Sequence, residues 1–267
     1  MNHKYFFTII AIAVISITLF YACKKDKKSK NDESEVTFEW EPEMVFVEPG
    51  TFTMGCTFDD NDCIVNSELP THQVTLTKGY YIGKYEVTQA QWKAVMGGNP
   101  SYNQGDDFPV EMVSWDDVQT FMVKLNKLTG KNYRLPTEAE WEFAARGGNQ
   151  SKGYKYSGSN NINDVAWYGA SSGGNSGNNT HSVGMKQPNE LGIYDMSGNV
   201  YEWCNDLYDI YSDESQINPQ GSVMGSNYVM RGGSFYRSAI YCRVVYRDQN
   251  NPNFIAPNLG FRVAFSL

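Results

Sequence analysis

The sequence predicts a mixed α and β fold built from short regular elements and long loops. Gly accounts for 24 of the 267 residues, and 18 Tyr help to raise the aromatic fraction to 14%. Three segments carry helix-capping signals, and several short segments are rich in β-branched and aromatic residues. The length fits one large domain or two small ones. The composition disfavours a helical bundle or a regular barrel.

Three helices are predicted from their capping residues and from the spacing of their apolar residues. Thr88 with Gln91 matches a capping box, and Thr137 with Glu140 repeats that arrangement. Ser114 precedes a segment in which apolar residues recur at helical spacing. We expect the helices to end at the glycines that follow them, which are Gly97, Gly130 and Gly147.

The remaining chain is predicted to form short strands and loops. The strand predictions are Met44–Val47, Phe52–Met54, Gln73–Leu76, Tyr80–Ile82, Tyr228–Met230, Cys242–Tyr246 and Gly260–Phe265. Residues 147–187 are rich in Gly, Ser and Asn. A loop of that length inside a compact domain is usually functional, or is organised by something other than a hydrophobic core.

The charge of the chain disfavours nucleic acid as a partner. The formal net charge is -8, and residues 36–267 hold 16 basic against 26 acidic side chains. Binding to a nucleic-acid backbone requires a basic face, which this composition does not offer. The acidity indicates either a solubility surface or a domain that binds cations.

The N-terminal segment resembles a bacterial lipoprotein signal. Lys4 precedes an apolar run that ends at Ala22, and Cys23 follows. We therefore predict a signal peptide at 1–22, lipidation of Cys23 and a flexible polar tether at 23–38. The alternative is an uncleaved membrane anchor, because the apolar run has the minimum length for a span. Either arrangement puts the domain at 39–267 outside the cytoplasm, in the cell envelope, facing the periplasm or the surface.

Four further cysteines permit two disulfides in an exported domain, with three possible pairings. Cys56 and Cys63 could form a local staple, which would leave Cys204 and Cys242 for each other. A thiolate zinc site is disfavoured because the sequence has no C-x-x-C pair.

Eight motifs, taken in order, resemble the sulfatase-modifying-factor family, the formylglycine-generating enzyme domain. They are MVFVEPGTFTMG (44–55), ELPTHQVTL (68–76), YYIGKYEVTQAQW (80–92), PVEMVSWDDV (109–118), YRLPTEAEWEFAARGG (133–148), PNELGIYDMSGNVYEW (188–203), VMRGGSF (229–235) and NLGFRVAF (258–265). The resemblance implies a single irregular α+β domain of the C-type-lectin-like type, with little regular secondary structure. Fold alone does not imply activity.

The resemblance also implies a test for catalysis. The family's oxidase converts a sulfatase Cys to formylglycine with oxygen and a copper ion held by two thiolates, in a segment resembling G-G-S-x-x-C-x4-C. Counted from Gly232, the two thiolate positions are Arg237 and Cys242, and counted back from Arg247 the second falls on Ala239. The first thiolate is absent under either count, so copper is not expected. Cys242 is then at most a remnant, in a disulfide or as a buried thiol.

Other relatives of the family hold iron with three His. This chain has His3, His72 and His181, and His3 lies in the predicted signal. An iron site therefore has too few ligands here.

A calcium ion is the cofactor that the resemblance supports. The implied ligands are the side chains of Asp195 and Glu202 and the backbone oxygens of Gly198 and Val200. Calcium prefers six to eight oxygen ligands, and a Gly-containing turn between two carboxylates can supply several of them. The alternative is a carboxylate-capped turn without metal.

Together these observations predict a lipid-anchored, non-catalytic binding or assembly module of the bacterial cell envelope. Its partners would be the membrane, another envelope protein or an exported sulfatase. The alternative is an oxidase that converts a sulfatase Cys to formylglycine. A third hypothesis is a lectin-like module that uses Trp167, Tyr168 and Tyr201. Paired Arg–carboxylate contacts in the core are expected for Arg134, Glu138, Glu140, Arg146, Arg231 and Arg262.

Overall fold

The computed structural model describes residues 38–57 and 63–266. The predicted signal peptide, Cys23 and the tether as far as residue 37 lie outside the described residues and remain predictions. The last tether residue, Phe38, stacks on Trp40 with 4.9 Å between the ring centroids. No helix in the described part of the chain is long and apolar enough to cross a membrane.

The described residues contain five α-helices. They are α1 (Val65–Glu68), α2 (Gln89–Met96), α3 (Trp115–Thr129), α4 (Glu138–Ala145) and α5 (Ile162–Val165). The three predicted helices are confirmed as α2, α3 and α4, and each begins with a complete capping box, at Thr88, Ser114 and Thr137. Gly97 and Gly130 end α2 and α3 with φ angles of 86° and 72°, in the left-handed region that glycine tolerates.

Short strands form three small sheets within the described residues. They are β1 (Met44–Val47), β2 (Gly50–Met54), β3 (His72–Leu76), β4 (Tyr80–Gly83), β5 (Tyr201–Leu207), β6 (Gln216–Ile217), β7 (Tyr228–Arg231), β8 (Arg247–Asn250), β9 (Leu259–Gly260) and β10 (Ala264–Ser266). The strand orders are β1-β4-β10, β2-β3-β6 and β8-β7-β5-β9. The result is a single α+β domain with few regular elements, as the sequence predicts.

Several strand predictions differ from the structure. The single strand predicted at Gly260–Phe265 is two short strands, β9 and β10, which belong to different sheets. The prediction missed β5, because carboxylates such as Glu202 and Asp206 are buried along it and mask the apolar pattern of a core strand. The segment Cys242–Tyr246 is not a strand. A 3-10 helix covers Ala239–Cys242 and β8 begins only at Arg247, so the apolar run at 244–245 reflects burial in irregular backbone.

The antiparallel pairing of β5 with β7 places two candidate segments side by side. Glu202 near the start of β5 faces Arg231 at the end of β7. The turn before β5 and the loop after β7 therefore meet. The N–H of Gly198 donates to the Gly232 carbonyl at 2.8 Å, and the N–H of Phe235 donates to the Asn199 carbonyl at 2.7 Å.

The apolar core forms mainly two clusters among the described residues. One surrounds α4, all eight of whose residues are buried. The other packs α2 and α3 together through aromatic contacts. In it Trp92 stacks on Phe121 at 5.2 Å, and Phe261 meets the Phe121 ring edge-on at 5.3 Å. Such ring pairs add to the free energy of burial.

Buried ion pairs cross the core between segments that are far apart in sequence. Four arginines that are at most 3% exposed pair with four buried glutamates, and the pairs are Arg231–Glu142, Arg243–Glu68, Arg247–Glu138 and Arg262–Glu202. Arg134–Glu140 and Arg146–Glu142 are further pairs at lower burial. The prediction of Arg–carboxylate contacts in the core is thus confirmed.

One of the two predicted disulfides is present. Cys56 and Cys63 are bonded, which confirms the local staple. Cys204 and Cys242 are not paired with each other, and both are buried free thiols, which was the other alternative for Cys242. Cys204 belongs to the cluster around α4, whereas Cys242 packs in a third cluster with residues such as Tyr168, so the two thiols lie in different parts of the core.

We expect Arg243→Ala to destabilise the fold by about 3–5 kcal/mol, because it leaves the fully buried Glu68 carboxylate without its guanidinium. The measurement is urea unfolding at neutral pH. The matched control is Lys84→Ala, which breaks the solvent-exposed pair with Glu43 and should change the free energy of unfolding by less than about 1 kcal/mol. Equal effects of the two variants would contradict a structural role for the buried pair.

Candidate functional site

The loop after β7 carries the segment in which the oxidase would require two thiolates. Cys242 is fully buried, and its sulfur lies directly beneath Gly233. A Cβ atom at Gly233 would approach the Cys242 sulfur to 2.8 Å, and the φ angle of Gly233 is 73°. Glycine is therefore required at this position for both space and backbone conformation.

Burial also controls the chemistry of Cys242. It raises the pKa of the thiol to about 12, although a backbone N–H from Ser234 acts in the opposite direction. The neighbours of the side chain are largely apolar and include Ile162, Val165 and Tyr168. The sulfur is consequently a neutral thiol at physiological pH, and a neutral thiol is a poor metal ligand and nucleophile.

Arg237, the first thiolate position when counted from Gly232, differs from Cys242 in exposure. Its side chain is solvent-exposed, and its guanidinium lies 5.4 Å from the centre of the Tyr241 ring and 6.0 Å from that of Tyr201. A guanidinium has no lone pair to donate to a metal. Within the described residues, the free thiols are Cys204 and Cys242, and they belong to separate clusters.

The turn before β5 holds the residues of the predicted calcium site. Asp195 and Glu202 are both buried. Glu202 accepts two N–H groups from Arg262 at 2.6 Å each, and the indole N–H of Trp141 at 2.7 Å. Asp195 accepts the backbone N–H of Gly184 at 2.6 Å. Both carboxylates are thus already hydrogen-bonded within the protein.

A third buried carboxylate, Glu86, joins this turn. It accepts the side-chain amide of Asn199 at 2.7 Å and the N–H of Val200 at 3.1 Å. Burial, together with the charges of Asp195 and Glu202, raises the pKa of Glu86 well above its usual range. Burial likewise raises the pKa of Asp195 to about 6. Three buried carboxyl groups at this turn thus face one guanidinium, that of Arg262.

The residues at this turn fit a calcium ion only in part. Three carboxyl groups close together offer the oxygen ligands that calcium prefers. Glu202, however, is already occupied by Arg262 and Trp141, so an ion would have to share it. Across the described ranges, no three His, Cys, Asp or Glu side chains are arranged to hold a metal ion. Calcium binding stays a prediction.

The two described histidines pack against different aromatic rings. His72 is buried and meets the Tyr211 ring edge-on at 4.9 Å. His181 stacks on Trp167 at 3.8 Å. Each histidine packs against an aromatic ring, which agrees with a structural role.

The aromatic residues proposed for a lectin-like site are packed into the domain. Tyr168 and Tyr201 are buried, and the Trp167 ring contacts His181 and the Lys186 ammonium, which lies 4.0 Å from its centre. They do not form an exposed binding surface.

A different set of aromatic and amide side chains forms an open groove beside the loop after β7. We call it the aromatic–amide groove, and its volume is about 340 Å³. Its lining residues are Tyr102, Asn103, Asn178, Asn179, Phe235, Tyr236, Pro257 and Asn258. The volume falls within the range of small-molecule sites, about 300–1,000 Å³. This groove is the candidate functional site.

Residues 28–267 match the family described as the sulfatase-modifying factor enzyme 1-like domain. The chain belongs to this family. It is 35% identical to a protein of Paenibacillus barcinonensis named chaperone protein LppX, over 84% of this chain and 89% of that one. It is 30% identical to the mouse formylglycine-generating enzyme, over 83% of this chain and 74% of that one.

A solved structure has the same fold. Treponema denticola variable protein 1 superposes with a TM-score of 0.76 at 33% identity, covering 84% of this chain and 95% of that one. The irregular α+β architecture of this family member is therefore shared with a protein of known structure. Its relatives include both a chaperone and an enzyme by name, so membership alone does not choose between binding and catalysis.

The groove could not be predicted from the sequence, because its lining residues come from four separate segments of the chain. The one available signal was the Gly-, Ser- and Asn-rich loop at 147–187, which supplies Asn178 and Asn179. That loop was expected either to be functional or to be organised by something other than a hydrophobic core. Nothing local in the sequence indicates that Tyr102 and Tyr236 share a surface with them.

A second cavity, of about 240 Å³, lies at the end of β5 and was also not predicted. Its buried walls include Glu138, Asp206 and Arg247. Burial, with the nearby Glu138 charge, raises the pKa of Asp206 to about 8. Asp206 accepts the N–H of Glu138 at 3.0 Å, and Glu138 binds Arg247. Glu138 and Arg247 thus belong to the ion-pair framework of the core, and Asp206 adjoins it through the Glu138 N–H.

Proposed function

We propose that this chain is a non-catalytic binding or assembly module that uses the family's domain as a rigid scaffold. The observation that carries this proposal is the chemistry of the two thiolate positions. Soft Cu(I) is held by paired thiolates. Here the first position is the guanidinium of Arg237, and Cys242 is a neutral, fully buried thiol.

The name of one relative supports a binding role. LppX, which matches across most of both chains, is named a chaperone protein, and such a role depends on binding. The aromatic–amide groove gives this chain a place for a ligand. A binding surface needs no reactive sulfur, so it is compatible with a buried Cys242 and an exposed Arg237.

The location that we propose is the bacterial cell envelope, with the domain anchored through a lipid on Cys23. The sequence around Cys23 supports this, as does the disulfide between Cys56 and Cys63, because disulfides persist in oxidising compartments outside the cytoplasm. The partners would be the membrane through the lipid, and another envelope protein or an exported sulfatase.

The second candidate function is oxidation of a sulfatase Cys to formylglycine. Relatives that are named formylglycine-generating enzymes favour it, and Cys242 is the residue in the matching segment that could take part.

We expect no formylglycine when the purified protein is incubated with copper, oxygen and a peptide containing Cys-x-Pro-x-Arg. The reason is that one buried neutral thiol cannot replace a thiolate pair. Mass spectrometry of the peptide is the measurement, and Cys242→Ser is the matched variant. A Cys-to-formylglycine mass change that Cys242→Ser abolishes would establish the oxidase instead.

We further propose that calcium stabilises the turn before β5, held by the Asp195 and Glu202 side chains and by the backbone oxygens of Gly198 and Val200. A bound ion would reduce the repulsion between the buried carboxylates there. This proposal does not depend on the presence or absence of catalysis.

Calcium should raise the midpoint of thermal unfolding relative to a chelator. Ligand at a hundred times its Kd stabilises a native state by about 2.7 kcal/mol. Asp195→Asn keeps an acceptor for the Gly184 N–H but removes a charge, and should shrink the calcium effect. An identical midpoint with calcium and with chelator would remove this claim.

The full chain, expressed in a bacterium that processes lipoproteins, should partition into the membrane fraction, while Cys23→Ser should not be lipidated and should lose that association. Fractionation and intact mass are the measurements. Retention of Cys23→Ser in the membrane to the same extent would instead support the uncleaved anchor.

A further inference from the structure

The residue types that line the aromatic–amide groove indicate which kind of ligand it suits. It combines aromatic rings with four asparagine side chains. Among the described residues that line it, none carries a charge and none is Leu, Ile, Val or Met. A neutral lining favours an uncharged ligand. A lining in which Pro257 is the one aliphatic side chain among the described residues is unlike the apolar grooves that accept hydrophobic peptide side chains.

Two tyrosines present their rings to solvent at this groove. Tyr102 is 77% exposed and Tyr236 is 61% exposed. Tyr236 is oriented by Phe235, whose ring it meets edge-on at 6.4 Å. A tyrosine ring offers a flat apolar face with a polar hydroxyl at its edge, so it suits ligands that have both C–H faces and hydroxyl groups.

The asparagines retain hydrogen-bonding capacity. The side-chain amides of Asn103 and Asn178 make no hydrogen bond to another described residue, and Asn258 uses only its NH₂ group, toward Ser234 at 3.0 Å. Each carboxamide offers a donor and an acceptor side by side. That arrangement is complementary to neighbouring hydroxyl groups, each of which also donates and accepts.

Hydrogen bonds to neighbouring residues hold two of the lining segments in place. On the segment at 102–103, the buried Glu111 carboxylate accepts the N–H of Asn103 at 2.7 Å. On the segment at 178–179, the Ser176 hydroxyl accepts the N–H of Asn178 at 3.1 Å and donates to the Phe235 carbonyl at 2.7 Å.

The segment at 257–258 is held as well, since the Asn258 carbonyl accepts the N–H of Tyr201 at 2.8 Å. The groove is thus organised in advance, which lowers the entropic cost of binding.

We infer that the aromatic–amide groove binds an uncharged oligosaccharide. The C–H faces of sugar rings would stack on Tyr102 and Tyr236, and their hydroxyls would bond the amides of Asn103, Asn178 and Asn258. A polypeptide segment is the competing occupant, and the scarcity of aliphatic lining disfavours it. The inference rests on the proposed function, in that the groove serves binding and not oxidation.

The test is a titration of the full mature protein with uncharged tetrasaccharides built from glucose, mannose, xylose or N-acetylglucosamine. Tetragalacturonate serves as a charged arm and a reduced, carboxymethylated protein as an unfolded polypeptide arm. We expect at least one uncharged tetrasaccharide to bind with a Kd below about 1 mM. Tyr102→Ala and Tyr236→Ala should each weaken that affinity by about tenfold or more.

Both tyrosines are exposed, so these variants should fold, which the thermal midpoint checks. The matched control is Tyr154→Ala, a partly exposed tyrosine outside the groove, which should bind like the parent protein. The inference is overturned if no uncharged sugar binds, if only the charged sugar or the polypeptide binds, or if neither groove variant changes the affinity.

Failure of this inference can be told apart from failure of the proposed function. If no sugar binds and no formylglycine forms, the domain remains a binding module with another ligand. If formylglycine forms, the proposed function is wrong, whether or not a sugar binds.

Discussion

The buried arginine–glutamate pairs are the constraint on which the rest of this domain depends. Regular elements are few and short, so backbone ladders cannot by themselves fix the long loops. Arg243 ties the segment before β8 to α1, and Arg262 ties β5 to the chain near its C-terminal end. Both of these pairs are bidentate, so each sets orientation as well as distance. Such pairs are costly to break once buried, which makes them effective in specifying a single arrangement.

The candidate site inherits its rigidity from this framework. The chain between Arg231 and Arg247 is held at both ends by ion pairs with α4, and the groove residues Phe235 and Tyr236 lie within it. The same segment holds Cys242 in the core. Burial of the Cys242 sulfur and display of the Tyr236 ring are therefore two results of one loop conformation.

Much of the fold could be predicted from the sequence, where the determinants are local. Capping boxes such as that of Thr88 with Gln91 act within one helical turn, and β1 was predicted with its observed bounds. Strand β5 was missed because its buried Glu202 counts as polar in any pattern, although Arg262 neutralises it in the fold. The local disulfide could be anticipated from a short spacing, whereas the separation of Cys204 from Cys242 depends on tertiary packing. The groove could not be predicted, since four distant segments converge to make it.

The close approach of Gly233 to the Cys242 sulfur has a consequence for how this domain could change. Residue 237 is exposed, while the sulfur of residue 242 is sealed under the backbone. Replacing Arg237 with cysteine would return a second sulfur to the sequence without giving the first one a neighbour. Bringing two sulfurs together in this segment would demand a longer, rerouted loop, so the backbone path limits such a pair more than the identity of side chain 237 does.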